Sequence, residues 1–241
     1  MAQHWERFLN QRDREVLQAL GYGARMGLGA RPALLIIDTN YEFCGERPLP
    51  ILESIRHWRG SCGEQGWAAV AVMKRLIDAA HGKGLPVFYS TNARRADRWD
   101  AGSWRWKSAG ERASGPRDPR LDDIVAEIAP LPQDIIIRKT KPSVFFGTPF
   151  LSFLNLLKAD SLIVCGGTTS GCVRATVLDA FSGNLRCAVV ADGCFDRVEM
   201  SHAMNLVDMQ TKYADVIDAG EALKFIGGLE PGMFELPGSR A

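Results

Sequence analysis

Short, uninterrupted apolar runs alternate with amphipathic helical patterns along this chain, and that alternation restricts the possible folds more than any other feature. Residues 33–38, Ala-Leu-Leu-Ile-Ile-Asp, form the first run, and residues 85–91 form the second. Unbroken runs of this length are typical of strands buried on both faces of a parallel sheet. Between them, apolar residues recur at helical spacing over residues 70–80, and Gly82 and Gly84 predict where that helix ends.

The same alternation continues towards the C-terminus. Four further strands are predicted, at residues 134–138, 162–166, 186–191 and 214–217. Between or beside them lie helical patterns at residues 121–128, 150–157, 172–181 and 202–211. Repeated βα units joined by right-handed crossovers give a parallel sheet that is covered by helices on both faces. We therefore predict an α/β protein with a three-layer Rossmann-like fold, in which a mainly parallel six-stranded sheet lies between helices.

Two segments lie outside this pattern. We predict that residues 1–30 form a helical arm and that residues 31–241 form one α/β domain. Apolar side chains at helical spacing predict that the arm packs outside the domain or on a partner chain; they are Trp5, Phe8, Leu9, Val16, Leu17 and Leu20. Residues 94–119 combine arginines with Trp99, Trp104 and Trp106. This composition predicts a loop that covers a pocket or reaches a neighbouring subunit, with a disordered basic loop as the alternative.

The composition excludes several classes of partner. The chain has 241 residues, 29 of them basic and 28 acidic, so its net charge is +1 and no general field attracts nucleic acid or an anionic membrane. No apolar run approaches the roughly 20 residues that a membrane-spanning helix needs. The six cysteines form no CxxC pair and no secretory signal precedes them. We predict a reduced, cytoplasmic protein that binds a small molecule, with neither a nucleic acid nor a membrane as partner.

Polar side chains stand where three of the predicted strands end. Asp38 ends the first strand, Lys139 follows the third, and Cys172 follows the fourth after a turn of small residues. Ligands of such sheets bind outside the carboxyl ends of the strands, so we predict that the three side chains meet there. Cys172 begins a helical pattern, where free N–H groups and the helix dipole favour a thiolate. Taken singly, the three residues also fit a turn cap, a solvated basic patch and a buried small hydrophobe.

Three ordered blocks carry a family resemblance. They are Leu-Leu-Ile-Ile-Asp at 34–38, Lys-Thr-Lys-Pro-Ser-Val-Phe-Phe-Gly-Thr at 139–148, and Gly-Gly-Thr-Thr-Ser-Gly-Cys-Val-Arg-Ala-Thr at 166–176. Together they resemble the isochorismatase-like cysteine hydrolase superfamily, and most closely its N-carbamoylsarcosine amidase branch. The resemblance implies Asp38 and Cys172 as catalytic residues. It also selects Lys139, four residues before the serine of the second block, with Lys141 as the fallback.

The resemblance further implies a mechanism and an oxyanion site. Cys172 would attack an amide or ureide carbonyl, Asp38 would carry the proton to the departing nitrogen, and Lys139 would hold the negative charges. Ammonia would leave behind a thioester that water then hydrolyses. A cis peptide bond between Gly167 and Thr168 would turn the Thr168 N–H towards the oxyanion, beside the N–H of Cys172.

Substrate contacts are predicted from position and from one further block. Residues 192–197, Asp-Gly-Cys-Phe-Asp-Arg, resemble the branch segment that offers an arginine to the substrate carboxylate, and Arg197 aligns with that arginine. The alternative is that Arg197 pairs with Asp192 or Asp196. Four other residues are predicted to line the pocket: Arg174, Asn40, Phe43 and Asn92. The alternative for Arg174 is that it faces a neighbouring helix.

The chain is thus predicted to be a cysteine-dependent amidohydrolase that needs no cofactor. The resemblance suggests N-carbamoyl amino acids, maleamate-type amic acids, and biuret or triuret as substrates, and it suggests a homo-oligomer, most often a tetramer. No metal site is predicted, because the related nicotinamidases use an Asp-x-His pair that this chain lacks. A non-catalytic or redox-sensing member of the fold is the alternative, and an isochorismate-cleaving enzyme is a weaker one.

Overall fold

A six-stranded parallel sheet forms the centre of the molecule. The structure, a computed structural model, describes residues 7–97, 99–107 and 118–238, without the side chains of residues 105 and 106. The strand order is β3-β2-β1-β4-β5-β6, and every neighbouring pair is parallel. The strands are β1 Pro32–Ile37, β2 Val87–Asn92, β3 Ile135–Lys139, β4 Ser161–Gly167, β5 Arg186–Phe195 and β6 Asp215–Ile217. The predicted α/β fold with a six-stranded sheet is confirmed.

Helices cover both faces of this sheet. They are α1 Gln11–Leu20, α2 Tyr41–Cys44, α3 Ile51–Ser54, α4 Glu64–Lys83, α5 Trp104–Lys107, α6 Phe150–Leu157, α7 Arg174–Ser182, α8 Glu199–Lys212 and α9 Ala219–Gly228. Helix α4 contacts α9 and the central strands, whereas α7 contacts α8 and β5. Among the described residues, no helix combines the length and the apolar character needed to cross a membrane.

The central strands carry the core. Every residue of β1 and of β4 is buried, as their apolar runs predict. Full burial of one Leu, Ile or Val side chain contributes about 1.5–3 kcal/mol, so these two strands hold a large share of the stabilising free energy. The sheet can therefore tolerate charged groups at its carboxyl edge without losing its fold.

The order of the strands reverses between β1 and β4. From β1 the chain moves outwards through β2 to β3, and it then returns to start β4 on the other side of β1. Ile37 lies beside Gly166 in the register, and a Cβ atom at Gly166 would lie 2.1 Å from the Ile37 carbonyl oxygen. Only glycine permits this approach, which brings the ends of β1 and β4 together. Such a reversal creates the crevice in which open α/β sheets bind ligands.

Two predicted elements differ in the structure. Residues 121–128 do not form the predicted helix, because the backbone of residues 121–125 instead pairs with the segment that follows β1. Asn40 forms an antiparallel bridge with Ile124, and the Val125 N–H donates to the Thr39 carbonyl. Only the short 3-10 turn Ala126–Ile128 is helical there. Strand β5 is also longer than predicted and continues to Phe195.

The N-terminal arm lies beside α8. Arg7 forms an ion pair with Glu199, and the Gln210 side chain donates to the Gly23 carbonyl. Helix α1 between these points has no buried residue. Trp5 lies outside the described residues, as do the Trp106 side chain and residues 108–117 of the predicted tryptophan-rich loop. Trp99 and Trp104 in that loop are exposed.

Candidate active site

Asp38, Lys139 and Cys172 come together at the carboxyl edge of the sheet. The Lys139 Nζ lies 2.7 Å from the Asp38 Oδ2 and 3.4 Å from the Cys172 Sγ. Asp38 and Lys139 are both buried, while Cys172 is partly accessible. The meeting of these three side chains, which the sequence predicts, is present in the structure.

Asp38 is fixed from several sides. Its backbone lies in the left-handed region with φ 46°, where aspartate is tolerated better than most residues. The Ser90 hydroxyl on β2 donates to the Asp38 Oδ1 over 2.8 Å, and Lys139 binds the other carboxylate oxygen. Sequence reasoning missed Ser90. The available signal was a row of three hydroxyl side chains in β2, Tyr89, Ser90 and Thr91, of which Ser90 pairs with Ile37 of β1.

Cys172 lies in a π-turn and not at the first turn of an α-helix. The π-turn is Thr169–Val173, and α7 begins only at Arg174. Burial raises the pKa of the Cys172 thiol to about 12; the Asp38 carboxylate adds to this rise and Lys139 opposes it. The residue is partly exposed, yet protein atoms surround the thiol closely enough for desolvation to dominate. The raised pKa opposes the expected thiolate, because desolvation acts against the local dipole.

The lysine of the site is positively charged. Burial alone would lower the pKa of the Lys139 ammonium, but Asp38 and, after it, Cys172 raise that pKa above its usual value. The other lysine of the block, Lys141, lies elsewhere, with its Nζ 3.4 Å from the carbonyl oxygen of Asp100. The raised pKa values favour the ammonium form of Lys139 and the thiol form of Cys172.

Several N–H groups of the turn are already used inside the protein. Ser170 donates to Asp196, while Gly171 and Val173 donate to the Thr168 carbonyl. These bonds remove three N–H groups from consideration as oxyanion donors. Thr168 itself is buried, and the peptide bond between Gly167 and Thr168 is cis, in agreement with the resemblance.

Arg197 stacks on Phe43. Its guanidinium lies 5.4 Å from the centre of the Phe43 ring and donates to the Gly60 carbonyl. Its backbone N–H donates to the Asp196 Oδ1 over 2.8 Å, so the predicted contact with Asp196 involves the main chain. Phe43 and Arg197 therefore form one stacked pair.

The other predicted pocket residues have structural partners or face solvent. The Asn40 amide donates to the Thr91 hydroxyl and its carbonyl oxygen caps α2. The Asn92 amide donates to both Glu42 and Asp122. Arg174 is exposed at the first residue of α7. Among the described residues, none of these three side chains forms a hydrogen bond with the side chains of Asp38, Lys139 or Cys172.

The described part of the chain contains no group of three or more His, Cys, Asp or Glu side chains placed to hold a metal ion. The acid–base groups of the site are Asp38, Lys139 and Cys172.

Comparison with known proteins identifies the family of this chain. Residues 32–221 match the isochorismatase domain. The chain belongs to the isochorismatase family. N-carbamoylsarcosine amidase from an Arthrobacter species is 32% identical over 217 residues, which cover 87% of this chain and 76% of that protein. Maleamate amidohydrolase from Pseudomonas putida is 29% identical, with 86% of this chain and 93% of that protein covered.

Solved structures of the isochorismatase family share the fold. An isochorismatase family protein from Desulfovibrio vulgaris superposes with a TM-score of 0.68 and 26% identity, covering 83% of this chain and 100% of the other. The resemblance inferred from the three sequence blocks is thus confirmed at the level of the family.

Proposed function

We propose that this protein is a cysteine-dependent amidohydrolase that releases ammonia from a small linear amide or ureide through a thioester on Cys172. The enzyme class, hydrolases of non-peptide linear amide C–N bonds, is that of the two curated relatives named above. The observation that carries the proposal is the buried Lys139 ammonium, which lies within 3.4 Å of both the Asp38 carboxylate and the Cys172 sulfur.

The first step needs a base because the thiol is protonated. With a thiol pKa of about 12, almost none of Cys172 is thiolate near neutral pH. Asp38 therefore takes the thiol proton as the sulfur attacks the carbonyl carbon. The electron pair of the C=O bond moves onto oxygen, where we assign the N–H groups of Thr168 and Cys172 as donors.

The second step breaks the C–N bond. Asp38 returns its proton to the nitrogen, which leaves as ammonia while the carbonyl forms again as a thioester. Water then loses a proton to Asp38 and attacks the thioester, and the sulfur leaves and recovers a proton. Lys139 remains an ammonium throughout and stabilises whichever of its two neighbours is negative.

The stacked pair of Arg197 and Phe43 suits the binding of a planar, polar substrate. A guanidinium fork binds a carboxylate or a row of carbonyl oxygens, and an aromatic ring packs on a planar amide. N-carbamoyl amino acids and maleamate-type amic acids fit this pair through a carboxylate, and biuret and triuret fit it through their carbonyl oxygens. We assign Arg174 and Asn92 to the outer wall of the pocket, and the fully buried Asn40 to a supporting position behind that wall.

The alternative, a redox-sensing or non-catalytic member of the fold, is favoured less by the same observations. Cysteines that sense oxidants have a low pKa and an exposed sulfur, because the thiolate is the species that is oxidised. The raised pKa of Cys172 opposes that role. A protein without catalytic activity also has no physical need to bury an ammonium beside a carboxylate and a thiol.

Assembly and location are further parts of the proposal. Val16 and Leu20 of α1 are 42% and 57% exposed, and an isolated helix of this length is marginal in water. We propose that α1 packs on another copy in a homo-oligomer. The family resemblance favours a tetramer, and sedimentation velocity can establish the number of copies. The six free cysteines favour a reducing compartment, and we propose the cytoplasm.

Ammonia release from a panel of compounds tests the proposed function. The panel contains N-carbamoyl amino acids, maleamate, biuret and triuret, each incubated with the native protein and with Cys172→Ser. We expect at least one compound to release ammonia with the native protein alone. Release from none of them would remove the proposed substrate classes.

A further inference from the structure

The turn that carries Cys172 is held by the segment that leads from β5 into α8. The Ser170 N–H donates to the Asp196 Oδ2 over 2.8 Å. The Thr169 hydroxyl lies 3.1 Å from the Phe195 carbonyl oxygen and 2.8 Å from the His202 Nδ1. Three hydrogen-bond contacts thus attach two adjacent residues of the turn to one neighbouring segment.

The Thr169 hydroxyl determines the direction of two of these bonds. A hydroxyl has one proton to donate, and Thr169 is fully buried, so unpaired polar atoms there are costly. If the proton goes to the Phe195 carbonyl, the His202 Nδ1 must carry a proton of its own and donate it to Thr169. This order satisfies both contacts. It gives a chain of donors from the His202 Nδ1, through the Thr169 hydroxyl, to the Phe195 carbonyl.

The chain of donors ends beside the oxyanion site. Thr169 follows Thr168 directly, and Cys172 lies three residues further along the same turn. The Phe195 ring lies so close to Gly167 that a Cβ atom there would be 2.3 Å from the ring. Phe195 therefore contacts the turn twice, through its ring at Gly167 and through its carbonyl oxygen at Thr169.

We propose that His202 is a positioning residue, which holds the N–H groups of Thr168 and Cys172 in register with the oxyanion through its bond to Thr169. This inference rests on the proposed function, because it needs an oxyanion to form in that place. Donors that stabilise an oxyanion must lie about 2.7–3.1 Å from it, so a small displacement of the turn removes much of their effect. His202 contacts Thr169, so it acts on the oxyanion site through that residue.

Two chemical probes of Cys172 distinguish a shift of the two oxyanion donors from a general loosening of the turn. Neither probe needs the natural substrate. Iodoacetamide alkylates the sulfur by displacing iodide, and no oxyanion forms in that reaction. Acetaldehyde adds the thiol across its C=O bond: the sulfur bonds to carbon, and the thiol proton ends on the oxygen. That oxygen occupies the place of the oxyanion, so its binding reports on the two N–H donors. Carbon-13 NMR of labelled acetaldehyde measures this adduct.

The variants are His202→Ala, His202→Asn and the control His81→Ala. An asparagine amide reaches the same distance from the backbone as the His202 Nδ1 and can donate to Thr169. His81 also makes one 2.8 Å contact with a side chain, to Asp134, but on α4. We expect His202→Ala to weaken the acetaldehyde adduct about tenfold or more, with the alkylation rate within about threefold of native. His202→Asn should restore most of the adduct, and His81→Ala should change neither reading.

Three results would overturn the inference alone: an unchanged adduct in His202→Ala, an equal loss in both reactions, or no recovery in His202→Asn. A native protein that is alkylated at Cys172 but forms no acetaldehyde adduct would overturn the proposed oxyanion site as well as the inference. Circular dichroism of each variant shows whether the fold is retained in the samples that are compared.

Discussion

Asp38→Asn is expected to have opposite effects on two reactions of Cys172: ammonia release falls by about 10²–10⁴-fold, and alkylation by iodoacetamide becomes faster. Ammonia release falls because asparagine cannot take the thiol proton or return it to the leaving nitrogen. Alkylation accelerates because the Asp38 charge contributes to the raised pKa of the thiol, after burial itself. Removal of that negative charge lowers the pKa, and each unit raises the thiolate fraction about tenfold.

The control for this change is Asp134→Asn. The Asp134 carboxylate is also buried and also has a basic partner, His81, but it lies away from the sheet edge that holds Cys172. We expect that variant to lose some stability and to keep both reactions of Cys172. The rates are measured at pH 7 by ammonia assay and by the mass of the peptide that contains Cys172. A parallel fall of both reactions in Asp38→Asn would contradict the role of Asp38 as base.

Lys139→Met is expected to lower the free energy of unfolding by about 3–5 kcal/mol and to abolish ammonia release. The methionine leaves the Asp38 carboxylate buried without its ion-pair partner, since Asp38 has no solvent exposure. Lys139 also opposes the rise in the pKa of the Cys172 thiol, so its removal should slow alkylation. The two variants of the ion pair thus move the reactivity of the same sulfur in opposite directions.

Lys141→Met and a double variant complete this test. Lys141 belongs to the same sequence block, but its ammonium contacts a carbonyl oxygen, so we expect a change within about 0.5 kcal/mol. Asp38→Asn combined with Lys139→Met should be more stable than Lys139→Met alone, because no buried charge remains. Urea unfolding measures the free energy of unfolding of the native protein, Lys139→Met, Lys141→Met and the double variant. A loss below about 1 kcal/mol in Lys139→Met would show that the pair is not a buried ion pair.

The sheet and the charged site could be predicted from the sequence because both depend on local signals. The run 33–38 is apolar throughout, and in a parallel sheet such a run has only one place, between helices on both faces. The reversal of strand order then brings the residues after β1 and β4 together, whatever the loops do. Asp38 and Cys172 follow from these two facts and from the sequence blocks.

The parts that could not be predicted depend on contacts between distant segments. Residues 121–128 have a helical period, but the segment after β1 offers them backbone partners. The hydrogen bonds to that segment replace those of the predicted helix. Ser90 and His202 contact partners that lie 52 and 33 residues away in the chain, which no periodicity reveals. The raised pKa of the Cys172 thiol could not be predicted for a related reason. The helix signal is local, whereas desolvation of Cys172 depends on everything packed around it.

The mass of the intact protein during turnover tests the central claim, that Cys172 carries the acyl group. The reaction is quenched with acid while the best substrate of the panel is being consumed. The account predicts an added mass equal to the substrate minus ammonia, located on the peptide that contains Cys172. It also predicts no such adduct and at least about 10³-fold less ammonia release in Cys172→Ser. Equal ammonia release by the native protein and Cys172→Ser would contradict it.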